Sequence, residues 1–278
     1  MELWRKSARN LKNFPPPVLL FLLLVTAISC HKQPVDTADN GKGVDTGDEK
    51  TAAEEVAEAD QLYAQRADIS KLRMAITLLR QARVADYGSY EAAWKLAKFD
   101  YYLASHTTDD RERDMAFHEG IDVGKIAVQL HDDKPDGHFW LGANYGGSAE
   151  HSTLAGLANV EDIKREMERT LKIDEGYQDG SAYLGLGSLY LQSPRVLGGD
   201  SQKAIEYLEK GLRFGSNNAL LRLRLAEAYY AAKRNGDAQK QIDYIKKMTP
   251  DQNYLPEYKD AVDGADKLAE KIKQGTLK

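Results

Sequence analysis

The chain has 278 residues, 42% hydrophobic and 29% charged, with a formal net charge of −5. This balance suits a packed domain of ordinary size and excludes general nucleic-acid binding, which needs a basic face. Cys30 is the only cysteine, so an internal disulfide is excluded and the fold must be held by its core.

Residues 1–29 read as a secretory leader. Arg5, Lys6, Arg9 and Lys12 stand against Glu2, a charge of +3, as in the positive start of a signal peptide. Pro15-Pro16-Pro17 breaks any helix there. Val18 to Ile28 is then free of charge. This run is shorter than the ~20 residues that span a bilayer, so it fits a signal h-region. Taking a leader of +3 from a chain of −5 leaves a mature charge of −8, which favours solubility.

The small residues Thr26-Ala27-Ile28-Ser29 end on Cys30. This segment resembles a bacterial lipoprotein lipobox, with Ala27 where Leu is usual. The resemblance implies cleavage before Cys30 and lipidation of its thiol and amine. Two or three acyl chains anchor a protein stably, whereas one binds reversibly. His31 follows the cysteine. The absence of Asp at that place resembles sorting to the outer membrane, facing the periplasm.

Residues 30–51 are expected to form a tether. Gly, Asp and Thr dominate and only Val35 and Val44 are large and apolar, too few to offset ordering entropy. About 20 residues of flexible coil reach roughly 25 Å.

Residues 52–278 are expected to be all-α, a solenoid of antiparallel helix pairs. Strand-like alternation is missing and only Pro135, Pro194, Pro250 and Pro256 interrupt the region. In chain order, Ala75, Leu79 and Ala82 suit a second helix of a pair. Leu96-Ala97 open the next unit, with Trp94 and Tyr101 one residue out of phase, and a partner helix follows over His118 to Leu130. Leu141-Gly142 and Tyr145 begin another unit, whose second helix (Ile163, Met167, Thr170) comes about nine residues late. Tyr183, Leu186-Gly187 and Tyr190 start a third, and Ala204, Leu208 and Gly211 continue it after an insertion of five. The clearest unit has Leu225-Ala226, Tyr229, Ala238, Ile242 and Pro250, with Asn235-Gly236-Asp237 as its turn and Asp237 as helix cap. These positions match the 34-residue tetratricopeptide (TPR) pattern. Glu257 to Gln274 reads as the capping helix that a solenoid requires. The expected total is ten to eleven helices.

Two insertions carry a finer resemblance. Pro194-Arg195-Val-Leu-Gly198-Gly199-Asp200, together with Trp140-Leu-Gly-Ala-Asn144-Tyr145 upstream, resembles the T-component (TatT) family of TRAP transporters over roughly residues 59–248. The same helix order also resembles the regulator-of-microtubule-dynamics proteins. The TatT resemblance implies a periplasmic lipoprotein that pairs with a solute-binding subunit and handles a small apolar or carboxylate ligand. It brings no catalytic residues. The alternative is a TPR scaffold for envelope assembly that binds no small molecule.

Candidate ligand- or partner-binding residues are Trp140, Asn144, Tyr145 and Arg195. Gly198, Gly199 and Asp200 are expected to form a turn and helix cap, since no strand precedes them and no Lys-Ser/Thr follows as a phosphate loop needs. Small residues at 144–160 allow either close helix packing or room for a ligand. No His pair has metal-site spacing, although His138 and His151 flank this segment and could meet across a cavity. No Gly-x-Ser-x-Gly elbow occurs. No enzyme activity, metal or cofactor is expected.

Overall fold

A computed structural model describes residues 50–151 and 153–276. The leader, Cys30 and nearly all of the tether lie outside the described residues. The chain divides between Gly47 and Asp48, and all that follows concerns the second unit.

Among the described residues there are eleven α-helices and no strand: α1 (Ala52–Tyr63), α2 (Ile69–Ala85), α3 (Tyr90–His106), α4 (Asp110–Leu130), α5 (Pro135–His151), α6 (Thr153–Ile173), α7 (Tyr177–Gln192), α8 (Ser201–Gly211), α9 (Ala219–Ala231), α10 (Asn235–Lys247) and α11 (Leu255–Thr276). Side-chain caps start many of them. Thr51 and Glu54 form a capping box on α1, and Ser89, Asp109 and Asn218 cap α3, α4 and α9. Consecutive helices pair from α1·α2 to α9·α10, and α11 covers the last pair. This is a TPR-like α-solenoid.

The two helices of a pair differ in kind. α8 and α10 are amphipathic, burying Ala204, Ile205 and Leu208 in one and Ala238, Ile242 and Ile245 in the other. α5, α7 and α9 carry apolar or small residues around most of their circumference. A first helix packs against its own partner and against the pair on either side, and it also forms the inner face of the solenoid. Glycine sets the closest approaches: a Cβ at Gly187 would lie 2.4 Å from Leu208 Cγ.

The core falls into two clusters. One runs from Val56 to Leu186, the other from Ala204 to Ile272. α7 joins them, placing Leu186 in the first and Leu184, Tyr190 and Leu191 against the second.

Two expectations are corrected. The extra residues after Tyr145 do not lengthen a loop before Ile163. They extend helices, since α5 runs to His151 and α6 begins at Thr153. The Asn235-Gly236-Asp237 segment is not the turn but the start of α10; Lys233 turns the chain with φ 63° and Arg234 is the cap residue. Asp237 instead pairs with Arg234 and Lys240. A feature not foreseen from the sequence is that α7 opens with a left-handed stretch, Gln178, Asp179 and Gly180 at φ 42°, 55° and 78°. A Cβ at Gly180 would stand 2.6 Å from the Gly211 carbonyl oxygen, so only glycine suits that position.

The ends of the solenoid meet. Arg66, in the α1–α2 turn, donates to both Glu257 carboxylate oxygens on α11, from Nε at 3.0 Å and Nη2 at 2.7 Å. Its Nη2 also donates to the Asn253 carbonyl at 2.6 Å. The guanidinium lies 4.8 Å from the Tyr63 ring centre and 5.4 Å from that of Tyr102. His106 Nε2 stands 3.1 Å from Asp260 Oδ2 beside it. The first and last elements thus close the superhelix around a central space through side chains.

Candidate ligand cavity

The enclosed space is a cavity of about 1560 Å³ that opens to solvent. Each first helix contributes one face: Tyr63 from α1, Tyr101 and Tyr102 from α3, Phe139 and Trp140 from α5, Leu184 and Leu189 from α7, Leu220 and Leu223 from α9. The segment before α11 closes it with Tyr254. Its aromatic wall is continuous. Trp140 lies edge-on to Phe139, ring centres 4.8 Å apart, and 5.8 Å from Tyr101. Burial pushes the phenol pKa of Tyr63 and Tyr102 up, that of Tyr102 to about 12, so this wall stays neutral at ordinary pH. Space is left where α5 has no side chain: a Cβ at Gly146 would meet nothing within 4 Å.

The sequence candidates separate. Trp140 lines the cavity. Asn144 does not; it is wholly buried, donating from Nδ2 to the carbonyls of Ala97 at 2.9 Å and Trp140 at 2.8 Å. A Cβ at Gly120 would come within 2.3 Å of its Oδ1, so Asn144 pins α5 against α3 and α4. Tyr145 is buried in the first core cluster. Arg195 is exposed in a 3-10 turn (Arg195–Leu197) away from the lining. Gly198 has φ 90°, a Cβ at Gly199 would collide with the Ser193 carbonyl oxygen, and Asp200 accepts from Gln202 N and Lys203 N at the start of α8. Of this turn, Ser193, Pro194 and Leu197 reach the cavity.

The small residues of α5 therefore do both things open to them. Gly147 lets Phe117 approach, while Ala143 and Gly146 border the cavity. His138 and His151 do not meet. His138 is held between Glu166 Oε2 at 2.7 Å and the Asp132 carbonyl at 3.1 Å, and His151 stacks on Phe117. Among the described residues no cluster has metal-ligand geometry.

Sequence reasoning missed Lys98, Tyr63, Tyr102 and the Arg66–Glu257 closure. One signal was present. Tyr101 departs from the TPR phase because it faces the cavity, and Lys98, Tyr101, Tyr102 and Ser105 share that face of α3.

A tetratricopeptide-repeat model matches residues 197–262, and a model of the regulator of microtubule dynamics proteins 1-3 matches residues 56–191. Residues 197–262 overlap the second core cluster, and residues 56–191 span the first. No curated protein matches the sequence. Among solved structures, the chain resembles TTC0263, a thermophilic TPR protein of Thermus thermophilus, at 20% identity and TM-score 0.57, covering 76% of this chain and 99% of that one. It also resembles pilF of Pseudomonas aeruginosa at 17% identity and TM-score 0.51, covering 81% and 95%. At these identities the likeness is one of fold. Repeat match, helix pairing and structural likeness agree on a TPR-like solenoid fold, with a tetratricopeptide-repeat match over residues 197–262.

Proposed function

We propose that the protein is a lipid-anchored TPR binding module of the cell envelope, an accessory of TRAP-type solute uptake that works beside a periplasmic solute-binding subunit. One observation carries this reading: the solenoid closes on itself around a large, solvent-connected, aromatic-lined cavity. A TPR surface used only for protein docking needs no such interior, whereas ligand sites are concave and mostly apolar with a few polar groups. The leader ending at Cys30 and the acidic, Gly-rich residues 31–51 support placement outside the cytoplasm on a tether.

Affinity capture of the chain from its native membranes, with mass spectrometry of what comes with it, is expected to recover a solute-binding subunit. Recovery of envelope-assembly proteins alone would contradict the uptake role and support the scaffold alternative. A Cys30→Ser chain is expected to leave the membrane fraction; one that stays membrane-bound without lipid would contradict the anchor.

A further inference from the structure

Lys98 is the unusual charge in the cavity. It projects from α3 among aromatic rings, its ammonium 4.7 Å from the centre of Tyr63 and 5.7 Å from that of Trp140. The other basic side chains of the lining have acidic partners: Arg66 holds Glu257, Arg224 holds Glu227, and His106 faces Asp260. Lys95, one turn earlier, already takes Asp60 and Glu91. Among the described residues no carboxylate lies within ion-pair distance of Lys98. Burial, then the nearby Arg66 charge, lowers the pKa of its ammonium, while the more distant Asp60 and Glu257, each paired elsewhere, oppose the shift. The two ring faces offset little of the cost of desolvating an ammonium.

We propose that the cavity takes an amphipathic monoanion, whose single acidic group pairs with Lys98 and whose apolar body lies along the Tyr101–Trp140–Phe139 wall. The inference rests on the cavity being a ligand site. An incoming carboxylate would form a charge-assisted hydrogen bond and give the Lys98 ammonium the ion-pair partner it lacks among the described residues. Apolar side chains wait beyond it: Ile163, Met167, Leu184 and Leu189 line the same space. The exposed acids Glu150, Asp179 and Asp251 also border the cavity. With Asp60, Glu257 and Asp260 they repel an anion more strongly the more charge it carries, which favours a single charge over several.

Three probes with one body and different heads test this: 4-phenylbutyrate, its neutral amide and 4-phenylbutylammonium. Binding is measured by calorimetry to the full chain in lipid nanodiscs, against empty nanodiscs. The expected order is carboxylate tightest, by about tenfold over the amide, a margin of ~1.4 kcal/mol. Lys98→Met removes that preference while the amide still binds, and Lys98→Arg keeps it. A Lys98→Met chain that retains the preference, with an unchanged unfolding temperature, overturns the inference. Equal binding of all three probes overturns it and leaves the cavity reading standing. No binding of any probe overturns both.

Discussion

An Arg66→Ala chain is expected to open the ring while keeping its helices. Arg66 is 5% exposed and Glu257 is largely buried, its side chain 22% exposed. Removing the guanidinium deletes a bidentate pair, the bond to the Asn253 carbonyl and two ring contacts together, and leaves the Glu257 carboxylate without its partner. Breaking a fully buried pair costs ~3–5 kcal/mol. Partial exposure of Glu257 brings the expected loss to about 2–3 kcal/mol, which lowers the thermal midpoint by roughly 5–10 °C for a domain of this size. Circular dichroism follows the midpoint and small-angle scattering follows the closure. Helix content should hold while the radius of gyration rises. Unchanged scattering would show that the ends are held by something other than this clasp.

Replacing Asp100 by Asn is expected to stabilise the protein. Asp100 sits on α3, wholly buried, and neither carboxyl oxygen has a hydrogen-bond partner among the described residues. Burial raises its pKa well above the ordinary carboxylate value; Glu119 raises it further, and Arg80 opposes them. Arg80 is engaged with Glu119 across α2 and α4. The folded chain therefore holds a proton on Asp100 that the unfolded chain has released. From about pH 4 upward, this group erodes stability as pH rises, until the folded-state pKa is passed. Asn removes that linkage at nearly constant shape. The buried amide is as unpartnered as the carboxyl it replaces, so the expected gain at neutral pH is the linkage alone, about 1.4 kcal/mol for each pH unit by which the folded group is raised. Urea unfolding across pH 5 to 8 should show the mutant's advantage growing with pH. A flat difference, or a loss, would mean that Asp100 has a partner when folded.

The helices could be read from the sequence because TPR units repeat local packing rules. Small residues such as Gly187 and Ala204 mark close approach, and large ones such as Leu208 and Tyr190 fill the space between neighbours. The closure could not be read. Arg66 and Glu257 lie 191 residues apart, and their meeting depends on curvature summed over every pair. The cavity was half legible. Trp140 stood out as an aromatic beside Leu141-Gly142, but Lys98 looked like any surface lysine on a helix. Asn144 misled for a physical reason. A polar residue among apolar ones reads as a ligand contact when its backbone partners, Ala97 and Trp140, are hidden. The lengthened α5–α6 hairpin was legible only as about nine extra residues before Ile163; Gly142 and Gly147 are helical positions that admit Met167 and Phe117.

The central claim is that this closed TPR solenoid carries a small molecule in its interior. Native mass spectrometry of the full chain, purified from its own membranes and released gently from detergent, tests it most directly. The expected result is an added noncovalent mass of a few hundred daltons, lost on denaturation and absent from an Arg66→Ala preparation. A chain that shows only polypeptide and covalent lipid, and whose Trp140 emission no amphipathic anion shifts, would contradict it.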